Sequence, residues 1–304
     1  MASGASAPVR IIHGQHTKLT RTGHGIAYDA VRDEIFSSEA LAGAIVVLKG
    51  GSNGDATPIR VIQGPHTRLF RPWYVFPDDA NHELVVGDNV QGSVLTFPID
   101  ANGDVAPKRV LHGPKTLLFQ TYGVGVDDQR NLLIAVSQQV PLSAAQKASF
   151  PAAFQAQRHG GILIFHRTDS GNVAPFRVIM GPHSGIQGPG NIQVYKGLIF
   201  MNTPNAVYYH SAYDLGGYAP RKECTGPPPD PLGLGSQNVF IGVWDDTQNG
   251  DVGPHYVIHG PASQFAALSG IAIDPKDGEV YVTDAVHNAT FGFLVPDFFT
   301  PKKD

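Results

Sequence analysis

The segment Pro58-Ile-Arg-Val-Ile-Gln-Gly64 constrains this chain most, because near copies of it return from one end to the other. The copies are Pro8–Gly14, Pro107–Gly113, Pro175–Gly181 and Pro254–Gly260, beginning 50, 49, 68 and 79 residues apart in chain order. Each sets β-branched residues between a leading proline and a closing glycine, which is the pattern of a short strand. The proline cannot donate to a ladder, so the strand belongs at a sheet's outer edge. A recurring period of about 40 to 50 residues made of short strands predicts an array of propeller blades.

With that outer strand as a ruler, each unit divides into four strands. The innermost are Gly25–Asp29, Tyr74–Asp78, Gly123–Asp127, Asn191–Tyr195 and Gly270–Asp274, rich in small residues that suit crowding around a channel. Second strands begin at Glu34, Glu83, Leu132, Leu198 and Glu279, and third strands at Ala44, Ser93, Gly161, Val239 and Ala289. A polar turn links third to fourth: Asn53-Gly-Asp55, Asn102-Gly-Asp104, Asp169-Ser-Gly-Asn172 and Asn249-Gly-Asp251. Asn-Gly is a strong hairpin signal. The fifth unit ends after three strands, and an unmatched fourth strand, Pro8–His13, stands at the N-terminus. The fold expected is therefore all-β: a five-bladed β-propeller of four-stranded blades forming one domain over residues 1–304, closed by pairing the N-terminal strand with the C-terminal blade.

These strands resemble NHL repeats. The likeness is carried by Gly270-Ile-Ala-Ile-Asp274 followed by Glu279-Val-Tyr-Val-Thr-Asp284 and Asn288, and by Glu83-Leu-Val-Val-Gly-Asp88-Asn89. The resemblance extends to the gluconolactonase-like propellers, a group that includes hydrolases, lyases and protein-binding modules. It implies a Glu/Asn/Asp set around a metal, here Glu39, Asn202 and Asp284.

Two units break the period, with insertions at 138–159 and 203–237, both between second and third strands and hence on one face, called the top. The first is alanine-rich and predicts short helix around Pro151. The second carries Tyr208, Tyr209, Tyr213 and Tyr218. Long loops in a compact domain are lids or binding loops when they are ordered.

Three sets of side chains converge on the top. His24, Trp73, Tyr122, Gly190 and Ser269 occupy equivalent positions at the starts of inner strands, with Arg71, Tyr74 and Gln120 beside them. Such a ring either plugs the channel or holds a flat organic molecule by stacking and hydrogen bonding. In the second reading His24, Tyr122 and Arg71 are catalytic. Trp73, Tyr74, Gln120, His287, Asn202, Phe150 and Tyr208 then bind substrate. The second set, Glu39, Asp88, Ser137, Asn202 and Asp284, ends the second strands; oxygen ligands in a ring suit Ca2+, while the plainer role is capping loop N–H groups. The third set is histidine: His16, His66 and His183 in the repeated loop, and His13, His112 and His259 before the glycine, expected to bond blade to blade.

No serine-nucleophile elbow, phosphate loop, dinucleotide fingerprint or His-Glu-x-x-His stands in the sequence. With 22 basic against 26 acidic residues, neither nucleic acid nor a membrane is an expected partner. The single cysteine, Cys224, excludes an intramolecular disulfide and suits the cytoplasm; secretion stays open if a signal peptide was removed. The expectation is a monomeric small-molecule enzyme of the lyase, cyclase or hydrolase type, with no cofactor. The alternatives are a Ca2+-dependent lactone or ester hydrolase using Glu39, Asp88, Asn202 and Asp284, and a non-catalytic ligand- or protein-binding propeller.

Overall fold

The computed structural model describes residues 7–21, 23–155, 159–203 and 239–300. Its strands form five antiparallel meanders, each running from the channel outward. Blade 1 contains β1 (Gly23–Asp29), β2 (Glu34–Glu39), β3 (Ala44–Lys49) and β4 (Arg60–Gln63). Blade 2 contains β5 (Pro72–Asp78), β6 (Glu83–Asp88), β7 (Ser93–Pro98) and β8 (Arg109–His112). Blade 3 is built of β9 (Thr121–Asp127), β10 (Leu132–Ser137), β11 (Gly161–His166) and β12 (Arg177–Ile179). Blade 4 follows with β13 (Ile192–Tyr195), β14 (Leu198–Thr203), β15 (Phe240–Asp245) and β16 (Tyr256–Ile258). Blade 5 has β17 (Leu268–Asp274), β18 (Glu279–Asp284) and β19 (Ala289–Leu294). The protein is an all-β, five-bladed β-propeller.

Alternation of side chains gives each sheet two apolar faces, so the core lies between blades rather than within one. Phe36, Ile45 and Val47 of blade 1 pack with Val75, Leu84 and Val86 of blade 2. Ile134, Val136 and Ile162 of blade 3 likewise meet Ile192, Phe240 and Trp244 of blade 4. Near the axis the inner strands approach closely: a Cβ on Gly25 would lie 2.6 Å from the Trp73 carbonyl oxygen, so only glycine fits.

The repeated loop after each outer strand and the polar turn of the next blade meet at the junctions of blades 1 and 2, 2 and 3, and 3 and 4, and where the N-terminal segment meets blade 1. Val61 N donates to Asn102 Oδ1 at 3.0 Å, while Gly103 N and O bond Val61 O and Gln63 N at 2.8 and 3.1 Å. Asp104 then accepts the His66 backbone N–H and pairs with His66 Nδ1, both at 2.7 Å. His183 is held in the same way by Asp251, and His16 by Asp55. Gly64 has φ 134°, a conformation glycine adopts freely, and its carbonyl accepts the Thr67 hydroxyl at 2.6 Å. The blade-to-blade role expected for His16, His66 and His183 is thus observed. His112 differs, since its Nδ1 lies 3.3 Å from Gly92 O of its own blade, and His13 and His259 are exposed.

The expected closing ladder differs from the structure. Blade 5 has three strands, and among the described residues Pro8–His13 forms no pairing with β19. Its single bridge joins Ile12 to Gly54 of blade 1, the counterpart of Ile62 with Gly103. The segment therefore occupies an outer-strand position against blade 1, anchored by the turn beyond it rather than by a sheet beside it.

Charged side chains tie the bottom of the blades. Glu83, 3% exposed, accepts Arg109, Lys108 and Arg167, the last from blade 3. Burial alone would raise its pKa, but Arg109 and Lys108 outweigh burial and hold it at about 2. At blade 4 the acid sits at Asp246, fully buried, with Arg130 Nη1 3.6 Å away and no hydrogen bond to either carboxylate oxygen. Burial, reinforced by Asp127 and Asp245 and opposed by Arg130, pushes its pKa up to about 7.

These two acids predict opposite responses. Glu83→Gln leaves the largely buried Arg109 and Arg167 without their carboxylate and costs about 3 kcal/mol in chemical denaturation at pH 7; because the native pKa is depressed, this contribution is present above the unfolded value and fades as pH falls from about 4.5 toward 2. Asp246 in the folded state keeps a proton that the unfolded chain releases, so its contribution is lost as pH rises from about 4 to 7. Asp246→Asn is expected to raise the melting temperature at pH 8 and to change it much less at pH 4.

Candidate functional site

The top of the channel is lined by equivalent residues at the starts of successive inner strands, and three of them meet. The His24 imidazole stacks on Trp73 with centroids 3.6 Å apart and planes at 17°. Tyr122 lies 5.3 Å further round, tilted by 44°, and the Arg71 guanidinium is 5.9 Å from the Trp73 ring centre. Trp73 and Tyr122 pack with Ala40 and Tyr74 in a small apolar cluster separate from the larger blade cores. On the far side of the channel, Asn191 Nδ2 donates to Ser269 O at 2.8 Å. The sequence-predicted trio His24, Trp73 and Tyr122 thus comes together, with Arg71 over it.

Backbone chemistry explains the positioning. Ser38, fully buried, accepts the Gly25 N–H at 2.7 Å and donates to the Trp73 carbonyl at 2.9 Å, fastening the residue after His24 to the neighbouring blade. Asp88 Oδ2 accepts both the Phe70 and Arg71 backbone N–H groups at 2.7 Å and so fixes the loop carrying Arg71. Burial first, and the Arg71 charge second, lower the His24 pKa to about 4 against an opposing pull from Glu39. At neutral pH His24 is an uncharged imidazole that can accept a proton or give a neutral hydrogen bond.

The acid and amide residues that end the second strands serve their own loops. Glu39 Oε2 accepts the Thr20 N–H and hydroxyl at 2.7 Å. Asp284 Oδ2 accepts Ala266 N and Ala267 N at 2.7 and 2.8 Å, and Ser137 Oγ accepts Phe119 N at 2.8 Å. Asn202 departs from the expected equivalence: Ile192 pairs with Met201 as Ile26 pairs with Ser37, so Asn202 matches Ser38, and Thr203 ends the strand. Asn202 Oδ1 accepts Asn191 N at 2.7 Å while its Nδ2 is buried with no partner among the described residues. Glu39, Asp88, Asn202 and Asp284 each belong to a different blade, and among the described residues no three His, Cys, Asp or Glu side chains are arranged to hold a metal ion.

The remaining expected substrate contacts are scattered. Gln120 bends the loop before β9 with φ 51° and receives the Gln138 N–H. His287 pairs with Asp284 at 3.1 Å on blade 5. Phe150 belongs to the first insertion, which forms α1 (Ala144–Ser149) and α2 (Ala152–Gln155) on either side of Pro151, as its composition predicts. Phe150 meets Phe154 edge to face at 5.3 Å, and Phe154 stacks at 3.9 Å on the buried His159. Tyr208 lies outside the described residues, as does almost all of the second insertion. Ser38, Asn191 and His159 escaped sequence reasoning; only Ser38, a polar residue where blade 3 carries Val136, left a readable signal. A cavity of about 190 Å³ lies at the opposite end of the channel, between Val126–Gln129 and Val194–Lys196, below the size of ordinary ligand pockets.

No known protein family matches the chain, and no curated protein resembles it in sequence. Among solved structures it is similar to one in a nidogen–laminin complex, at 11% identity over 91% of this chain and 77% of that one, with a TM-score of 0.56. The WD40 β-propeller domain of Doa1 is similar at 9% identity, covering 94% and 71%, with a TM-score of 0.48. The computationally designed Ika8 protein is similar at 11% identity with a TM-score of 0.46; 94% of this chain aligns and spans 65% of that chain. At such identities the likeness speaks to the propeller fold alone.

Titration by NMR checks the electrostatics of the mouth. The His24 ring is expected to titrate near pH 4, well below the ordinary histidine range. Arg71→Ala should move its midpoint upward, yet leave it below about 6.5 because burial is the larger cause.

Proposed function

We propose that the top of the channel binds a planar small organic molecule against Trp73 and that neutral His24 accepts a proton from it in a non-redox elimination, cyclisation or hydrolysis. The observation that carries this reading is the contact of His24, Trp73 and Tyr122, drawn from three blades, beside the Arg71 cation. An aromatic wall supplies dispersion and orientation, Arg71 attracts a carbonyl or carboxylate, and an imidazole free of charge at pH 7 begins the reaction as base rather than acid. The commitment of Glu39, Asp88 and Asp284 to loop N–H groups favours this route over calcium chemistry. The NHL-like strands are compatible with it, since gluconolactonase-like propellers include hydrolases and lyases.

A second reading, a docking platform for a protein, is favoured by one feature. Leu41, Phe70, Val90 and Phe119 stand 49–62% exposed on the loops of the same rim. Phe70 neighbours the Gly43 loop of blade 1 and Phe119 the Gly92 loop of blade 2, so these side chains form an arc outside the mouth.

The two tryptophans make a direct test possible, because Trp244 is fully buried between blades 3 and 4, while Trp73, 8% exposed, stacks with His24 at the start of the inner strands. In a Trp244→Phe background, screened small molecules that bind as proposed should quench Trp73 fluorescence and raise the melting temperature. Trp73→Ala should abolish the thermal shift, and His24→Ala should lower turnover of a found ligand by about 100-fold or more. Ligands that stabilise the protein equally with Trp73→Ala bind elsewhere and count against the assignment.

A further inference from the structure

The turns that clasp the blades hold a reactive dipeptide in a guarded form. Asn-Gly loses ammonia readily, because glycine leaves its backbone nitrogen unhindered beside the asparagine side chain. The dipeptide occurs at Asn53-Gly54, Asn102-Gly103 and Asn249-Gly250, and each of these asparagines is exposed. Reaction requires the glycine nitrogen to reach the asparagine side-chain carbon.

In every one of these clasps a single residue restrains both reacting groups. Val61 N donates to Asn102 Oδ1 at 3.0 Å, and Val61 O accepts Gly103 N at 2.8 Å. Val178 holds Asn249 Oδ1 and Gly250 N in the same way, at 2.9 and 2.7 Å. Ile11 holds Asn53 Oδ1 and Gly54 N at 3.0 and 2.7 Å. Nucleophile and carboxamide are tied to the same guard, so attack waits until that residue leaves. The turn of blade 3 has Ser170-Gly171 instead and lacks the dipeptide.

The guards differ in what holds them. Val61 lies in β4, opposite Val46 of β3, and Val178 lies in β12, opposite Leu163 of β11. Ile11 is 55% exposed and has no ladder partner among the described residues, where only Ile12 bridges to Gly54. Freeing Asn102 or Asn249 therefore breaks a sheet as well as a clasp, whereas freeing Asn53 breaks the clasp alone. We propose that Asn53-Gly54 is a spontaneous modification site, deamidated whenever Ile11 lifts away, and that the product makes the release of the N-terminal segment permanent. The Gly54 nitrogen passes its proton to water and bonds to the Asn53 side-chain carbon; the bond from that carbon to the amide nitrogen breaks, and ammonia leaves a cyclic imide. Water then opens the ring at either carbonyl, giving aspartate or isoaspartate, with one water consumed for each ammonia released. Isoaspartate adds a methylene to the backbone before Gly54 and moves Gly54 N and O out of register with Ile11 O and His13 N. The bonds that seat the segment are then lost.

Peptide mapping by mass spectrometry, on protein incubated at mildly alkaline pH, tests the site. In the folded protein Asn53 is expected to convert at least about tenfold faster than Asn102 and Asn249, and in denaturant the three rates should converge. Ile11→Pro removes the N–H that holds Asn53 Oδ1, so the Asn53 rate should rise toward its value in denaturant. Unchanged rates at Asn102 and Asn249 in that variant verify that the ring stays folded. Equal rates at the three sites of the folded protein, or an Asn53 rate that Ile11→Pro leaves unaltered, overturn the proposal. In the converted fraction, separated by ion exchange, the His13 and Gly54 amides should exchange with deuterium faster than in the unconverted protein; unchanged exchange overturns the release.

Discussion

The structure depends on one reused contact, the seating of an outer strand on the Asn-Gly-Asp turn of the next blade. Every part of the tripeptide is used: the Asn102 carbonyl takes Val61 N, the Gly103 backbone brackets Ile62, and the Asp104 carboxylate takes His66. Without it, adjacent blades would meet mainly through apolar faces, which resist separation but not sliding, and through a few side-chain bonds such as Ser38 to the Trp73 carbonyl. Directional hydrogen bonds fix the angle between blades, and that angle determines whether His24 and Trp73 reach one another across a junction. Each clasp is exposed at its histidine and individually weak, so repetition around the ring gives the arrangement its rigidity.

The top site illustrates how a scaffold converts strand register into chemistry. The inner strands lean together until glycine alone fits at position 25, which brings an imidazole onto an indole. Ser38 then fastens the two backbones, and Asp88 fastens the loop of the cation that depresses the imidazole's basicity. None of these supporting residues needs to touch a ligand to set the properties of those that do.

Much of this was legible in the sequence because repetition converts one recognised strand into five. The outer strand's proline and glycine, the Asn-Gly turns and the equivalence of His24, Trp73 and Tyr122 all follow from aligning the units. What failed to show lies where one unit departs from the rest. Asn202 aligned with strand ends because blade 4 enters its insertion one residue later, a shift visible only once Ile192 pairs with Met201. Composition likewise cannot reveal that Asp88 and Asp284 each already serve two backbone N–H groups and Glu39 the Thr20 N–H and hydroxyl. Closure was inferred from a strand count, and counting says nothing about whether side chains at the last junction become buried.

The third clasp carries a substitution on both sides at once. Lys115 stands where His16, His66 and His183 stand in other clasps, and Asn172 where they have aspartate; the bond from Lys115 N to Asn172 Oδ1 remains at 2.8 Å, beside the Gly171 backbone bonds, and the side-chain pair is gone. The junction between blades 2 and 3 thus dispenses with the ionisable pair that the other clasps possess. The hydrogen bond from His16 holds the Asp55 carboxyl below the usual carboxylate range, and at Asp104, where desolvation pulls upward, the bonds from His66 do the same, whereas Asn172 has no charge to lose. The same junction also rests on the Glu83–Arg167 ion pair, which fades as Glu83 takes up a proton toward a pH of about 2, so its response to acid is set by that pair rather than by its clasp.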